Sequence, residues 1–112
     1  MNAEAWLISH LSGKLGIPAY AAPPKDRPAT FATVERTSGP SEPWRDMPTI
    51  AVQCWAPTDH AASELARRAR DACLDYSSEP GVSRVSVEGL YRFPDPDSGQ
   101  PRYQLVVEMT TS

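Results

Sequence analysis

Twelve prolines divide this chain of 112 residues, and nearly all of them fall between its apolar segments. Proline fixes φ and has no backbone N–H, so helices and central strands are confined to the stretches between them. Aromatic and β-branched residues are not depleted in those stretches. Rigid, shaped loops joining short elements are therefore expected rather than disorder.

The first proline-free stretch, Ala3 to about Leu15, places Leu7, Ile8, Leu11 and Leu15 at helical spacing, and Gly16 with Ile17-Pro18 reads as its stop. A short extended or edge segment is expected at Ala19-Tyr20-Ala21. Thr30–Thr37 and Thr49–Ala56 read as strands; in the second, Ile50, Val52 and Cys54 share one face and Gln53 and Trp55 the other. The connection Ser38–Pro48 is too long for a tight hairpin and carries Trp44-Arg45-Asp46 at its tip. Thr58 caps a predicted helix running to about Tyr76, with Ala62, Leu65, Ala69, Cys73 and Tyr76 as its buried stripe and Glu64–Arg68 and Arg67–Asp71 as i, i+4 pairs. After the Glu79-Pro80-Gly81 turn, Val85, Val87, Tyr91 and Phe93 alternate with Arg84, Ser86, Glu88 and Arg92. Tyr103, Leu105, Val107 and Met109 alternate in the same way with Arg102, Gln104, Glu108 and Thr110. These two runs, joined through Pro94–Pro101, predict an antiparallel hairpin with one core face and one charged face. The fold class is α+β, one domain of order α-β-β-β-α-β-β. A mixed, mostly antiparallel sheet of four to five strands is expected, with both helices on one face.

The net charge of −3 argues against dedicated nucleic-acid binding, which is usually marked by a basic excess. No apolar run approaches the roughly 20 residues needed to span a bilayer. The N-terminus, Met1-Asn2-Ala3-Glu4-Ala5, lacks the basic and apolar regions of a secretory signal, so a protein made and used in a cytosol or released by lysis is expected. Cys54 and Cys73 have no metal-ligand spacing and read as small buried hydrophobes.

Catalytic chemistry finds little to stand on. Asp95-Pro96-Asp97-Ser98-Gly99 has the flavour of a calcium loop, but Gln100 and Val106 stand where an EF-hand needs glycine and a carboxylate. His10 and His60 are the only histidines, and neither belongs to a ligand pair. No serine or cysteine is marked by a neighbouring base. The expectation is no enzyme, no metal and no cofactor.

Surface recognition has more candidates. Arg67, Arg68 and Arg70 form a basic run that reads either as a solvated face balanced by Glu64 and Asp71 or as a partner contact, since arginine is enriched at interfaces. Trp44 lies off every core stripe, among Ser41, Glu42, Pro43, Arg45 and Asp46. It either folds back on the domain or anchors another protein, as large aromatics do at binding hot spots. Trp55 poses the same choice. Arg84, Glu88, Arg92, Arg102 and Glu108 complete the interface candidates, as a strand face of both signs.

Three segments carry a resemblance. They are Arg27-Pro28 with Phe31 and Val34-Glu35-Arg36-Thr37, then Val52-Gln53-Cys54-Trp55-Ala56 before an Ala-rich helix, and Pro94-Asp95-Pro96 to Pro101-Arg102-Tyr103. In this order, over nearly the whole chain, the sequence resembles the tail terminator (tail completion) proteins of long-tailed bacteriophages, particularly actinobacterial ones. Where relatives often carry Gly-Gly after the arginine, this chain has Ser38-Gly39-Pro40. The resemblance implies a homo-hexameric ring at the tail–head junction of a virion assembled in the bacterial cytoplasm. Such a ring would stop polymerisation of the tail tube protein and present a surface to the head-completion or stopper protein. A closed ring of this kind needs two different complementary patches on each subunit. The Trp44 loop is expected to order on assembly and the charged strand face to supply part of those patches.

Two other functions fit a chain of this size. One is a different neck component, such as a head–tail stopper. The other is a small ligand-binding or enzymatic α+β domain of the host, which needs a pocket with converging polar groups.

Overall fold

The computed structural model describes all 112 residues. Helix α1 spans Ala3–Leu15, and helix α2 spans Asp59–Leu74. The strands are β1 (Ala19–Tyr20), β2 (Phe31–Ser38), β3 (Ser41–Glu42), β4 (Arg45–Asp46), β5 (Thr49–Trp55), β6 (Val82–Arg92) and β7 (Arg102–Thr111). They form one seven-stranded, mostly antiparallel sheet in which only β1–β2 pair in parallel. β7 lies between β5 and β6, so the β5–α2–β6 crossover skips one strand and β7 fills the gap. The sheet is larger than the predicted four to five strands because Ser41–Asp46, read as loop, forms a small hairpin of its own. Asp46 pairs with Thr111 where β5 has ended, extending the sheet past its main body.

Local chemistry explains where the elements start and stop. The Asn2 side chain accepts from Ala5 N at the start of α1, and Gly16 closes the helix at φ 67°, a conformation that costs glycine nothing. Thr58 caps α2 as predicted, accepting from Ala61 N at 3.1 Å. The helix stops at Leu74, two residues before the predicted end, because Asp75 leaves helical geometry.

Both helices pack on the same face of the sheet. α1 covers β1 and β2, and α2 covers β5, β6 and β7. The core between the layers holds Leu7, Leu11 and Leu15 of α1 and Leu65, Ala66, Ala69 and Cys73 of α2. Beneath them lie Val34, Ile50, Val52, Cys54, Leu105 and Val107 of the sheet. Four buried alanines and one cysteine against one leucine let α2 lie close to the strands, and Ala66 and Ala72 widen the predicted stripe. Cys54 and Cys73 are both free thiols, and burial pushes each up to about 12.

The helix-layer contacts depart from the predicted i, i+4 pairs. Arg68 donates to the Leu15 carbonyl at 3.0 Å, satisfying an otherwise open acceptor at the end of α1. Arg67 pairs with Glu64 at 3.9 Å and Arg70 with Asp71 at 3.2 Å. His10 stacks on Trp6, and its Nε2 lies 2.7 Å from the Ala72 carbonyl, which requires the proton on that nitrogen. Lys14–Asp75 at 2.7 Å ties the same ends together. No helix is long and apolar enough to cross a membrane.

Candidate functional site

With both helices on one face, the opposite face of the sheet has no helix over it. Strand register places Thr33 of β2, Gln53 of β5, Gln104 of β7 and Tyr91 of β6 in one row across it. Their side chains form a directed chain of hydrogen bonds. Trp55 Nε1 donates to Thr33 Oγ1 (3.1 Å), Thr33 Oγ1 to Gln53 Oε1 (3.1 Å), Gln53 Nε2 to Gln104 Oε1 (2.9 Å), and Gln104 Nε2 to Tyr91 Oη (2.6 Å). Each bond fixes the orientation of the next amide, and the chain ends on the Tyr91 hydroxyl, whose proton is left to point outward. The middle of this face is therefore polar and uncharged.

One end of the face is closed by aromatic stacking. Trp55 stacks on Phe31 with ring centroids 5.1 Å apart, and the guanidinium carbons of Arg27 and Arg102 lie 5.0 and 4.8 Å from the Trp55 ring. Arg102 also lies 4.8 Å from the Phe93 ring and donates to the Phe93 carbonyl at 2.7 Å. Asp95 sits beside both arginines, at 3.6 Å from Arg27 and 3.9 Å from Arg102. The Asp95 carboxyl is held below the usual carboxylate range, first by the Ser98 hydroxyl at 2.6 Å, then by backbone N–H groups and Arg102. Burial pulls the Arg102 guanidinium down from its ordinary value, against the opposing pull of Asp95. The Asp95–Gly99 loop is thus an internal anchor, its carboxylate oxygens already committed.

Trp55 is only 1% exposed and Arg102 only 7%, so neither presents a surface. The alternation pattern put Arg102 on an exposed charged face; the register does bring it to the helix-free side, but the Pro-rich loop and Phe93 cover it. The five charged strand residues do not form one face either. A bulge in β6 between Val87 and Gly89 takes up Glu88, which accepts from Ser86 Oγ at 2.7 Å. Beyond the bulge Tyr91 lies on the face opposite Val85 and Val87, and Arg92 turns to Asp59 in the first turn of α2, at 3.1 Å. Arg84 and Glu108 remain on the helix-free face.

The other end of the face is where predicted interface residues gather. The β3–β4 hairpin is built within the chain itself. Arg36 holds Asp46 through two hydrogen bonds, of 2.7 and 3.0 Å, and donates to the Gly39 carbonyl at 2.7 Å. The guanidinium contact holds the Asp46 carboxyl below its ordinary range. Asp46 is therefore a brace of the hairpin, whose two short strands pair Ser41 with Asp46 and Glu42 with Arg45. Trp44 sits at the turn, 76% exposed, with Glu42 and Arg45 paired at 3.4 Å across it. A groove of about 210 Å³ lies at the base of the hairpin, walled by Pro40, Met47, Thr49, Met109 and Thr110, with Arg84 and Glu108 also lining it. A second, of about 230 Å³, runs beside Trp44 and Arg45 along Gly81, Ser83 and Thr110–Ser112.

No local sequence pattern marks the hydrogen-bond row, the Arg27–Trp55–Arg102 stack or the groove at the hairpin base. Gln53 and Gln104 were correctly off the core side, but only the register makes them neighbours. No protein-family model matches the sequence, and no curated protein matches it. In fold the chain is similar to one from the virion of a native gene transfer agent particle, with a TM-score of 0.67 and 13% identity over 99% of this chain and 98% of that one. At that identity the shared property is the fold, from the first helix to the last strand.

Proposed function

We propose that this chain is a structural protein of a phage-like virion and, within that class, the tail terminator. A ring of its copies would cap the head-proximal end of the tail tube, end tube polymerisation and offer a docking surface to the head-completion protein. The observation that carries this reading is the end-to-end likeness to a virion chain, with almost nothing left over on either side. The order of sequence segments resembling tail terminators supports the finer assignment.

The surface is suited to an interfacial task. Its exposed candidates, Trp44, Arg45, Arg84 and Glu108, gather at one end of the sheet, while Arg67, Glu88 and Arg92 lie elsewhere and serve as candidates for stacking contacts with the tube. One ring face has to imitate the tube's stacking surface and the other has to refuse a further tube ring.

Light scattering behind a sizing column, with and without purified tail-tube protein, tests the assignment. A six-subunit species, alone or on addition of tube protein, is the expected result. A monomer at every concentration that ignores tube protein overturns it. A species that ignores tube protein but binds the portal-side ring identifies a stopper instead.

A further inference from the structure

We propose that the Trp44 hairpin of one copy docks into the groove beside Met47 at the hairpin base of a second copy of this chain. The inference rests on the ring reading above and names the contact that would join its subunits.

The tip and the groove complement each other in charge. The tip offers one large indole, 76% exposed, flanked by Glu42 and Arg45. The groove offers Pro40 and Met47 as apolar lining, with Arg84 and Glu108 beside them; Met109 also borders it, but is only 2% exposed and belongs to the core. The half-buried Met47 side chain can adapt to an aromatic guest. Arg84 and Glu108 are exposed and take part in no ion pair within the chain. A copy arriving tip-first would set Glu42 against Arg84 and Arg45 against Glu108, exchanging a weak exposed pair for two inter-subunit ones.

The hairpin cannot fill its own groove. Pro40 and Met47, which line it, are the residues from which the hairpin departs, and their backbones are tied by the Met47 N to Pro40 O bond at 3.0 Å. Arg36 braces the strand at Asp46, so the tip is held away from its own base. Two different patches on each subunit are what a heterologous contact requires.

Three variants decide the matter: Trp44→Ala, Arg84→Glu, and Arg84→Glu combined with Glu42→Arg. Self-association is read by light scattering over a concentration series, and folding by circular dichroism. Trp44→Ala is expected to raise the concentration at half-assembly roughly thirtyfold, as removal of a central aromatic anchor does. Arg84→Glu alone should raise it about tenfold, and the double variant should return towards wild type, which no merely structural role of Arg84 predicts. Assembly that proceeds unchanged in Trp44→Ala and Arg84→Glu overturns the docking while leaving the ring reading intact. Loss of tube-protein binding with self-association unchanged assigns the hairpin to the tube and also overturns it. A wild-type chain that never self-associates, with or without tube protein, overturns both.

Discussion

Single residues show most clearly how far charge and pattern inform a reading of this chain. Arg102 looked like a surface cation because it alternates with Tyr103 and Leu105. Its actual surroundings, two aromatic rings and Asp95, come from segments 27–31, 55 and 93–95, and no local pattern connects them. Asp46 was legible as part of an exposed tip but not as the partner of Arg36, because that pairing depends on a hairpin too short to show alternation. The pairing has a consequence for acid stability. Arg36 lowers the Asp46 pKa below 3.8 in the folded chain, so its contribution is fully present above the unfolded value and is lost as pH falls through the folded one. Asp46→Asn should therefore cost about 1 kcal/mol at pH 7, a melting-temperature drop of about 3–5 °C. The deficit should shrink steadily below about pH 4 as the wild-type carboxylate protonates. Thermal melts of both proteins between pH 2 and 7 check this; a deficit that stays constant across the range removes Asp46 from the account.

Elements whose signals were local were legible, and those defined by pairing were not. Both helices, β2, β5 and the β6–β7 hairpin follow from periodicity, caps and prolines acting over a few neighbouring residues. The bulge at Glu88 is masked because Tyr91 and Phe93 keep the phase of Val85 and Val87; the one signal against that phase is Leu90, which breaks the alternation and packs against the core opposite Leu105. Ser41–Asp46 likewise yields no strand pattern, yet its position is tightly constrained at Gly39. That residue has φ 112°, and a Cβ added there would lie 2.2 Å from the Met47 carbonyl oxygen and 2.8 Å from Pro48 Cα. Gly39→Ala therefore combines an unfavourable dihedral with a backbone clash and should cost about 2–4 kcal/mol or displace the hairpin. Gly99 supplies the control: its φ is 71°, but nothing lies within 4 Å of the added methyl, so Gly99→Ala should cost only about 1 kcal/mol. Urea unfolding of the two variants compares them directly. Equal losses would mean that the hairpin base tolerates a side chain, and the tip would not be held as rigidly as the docking contact needs.

At the scale of the whole molecule, the layering was legible because one face of each strand and one stripe of each helix had to be buried together. The insertion of β7 between β5 and β6 was not, since a crossover to an adjacent or a skipped position has the same hydrophobic pattern. The candidate interface was legible in part: Trp44 and Arg45 stood out as unburied oddities, whereas the groove is assembled from Pro40, Met47, Arg84 and Met109, which no motif unites. That layering makes a prediction through the two cysteines. Cys54 lies on the central strand β5 and Cys73 near the end of α2, both fully buried in the shared core. With each thiol pushed up to about 12, only about one in ten thousand would be thiolate at pH 8 even if reagent could reach it. Reaction with a thiol reagent must then proceed through opening of the helix layer. The end of α2 is tied to α1 by His10 and Lys14, and Arg68 reaches back to the end of α1, so the layer should open as one unit. Both cysteines should accordingly label at one slow rate whose urea dependence matches that of global unfolding. Faster labelling of Cys73 alone, with little urea dependence, would instead reveal that α2 frays from its C-terminal end while the sheet stays closed. The two helices would then act as separate lids on the sheet, and an assembly partner could displace one without disturbing the other.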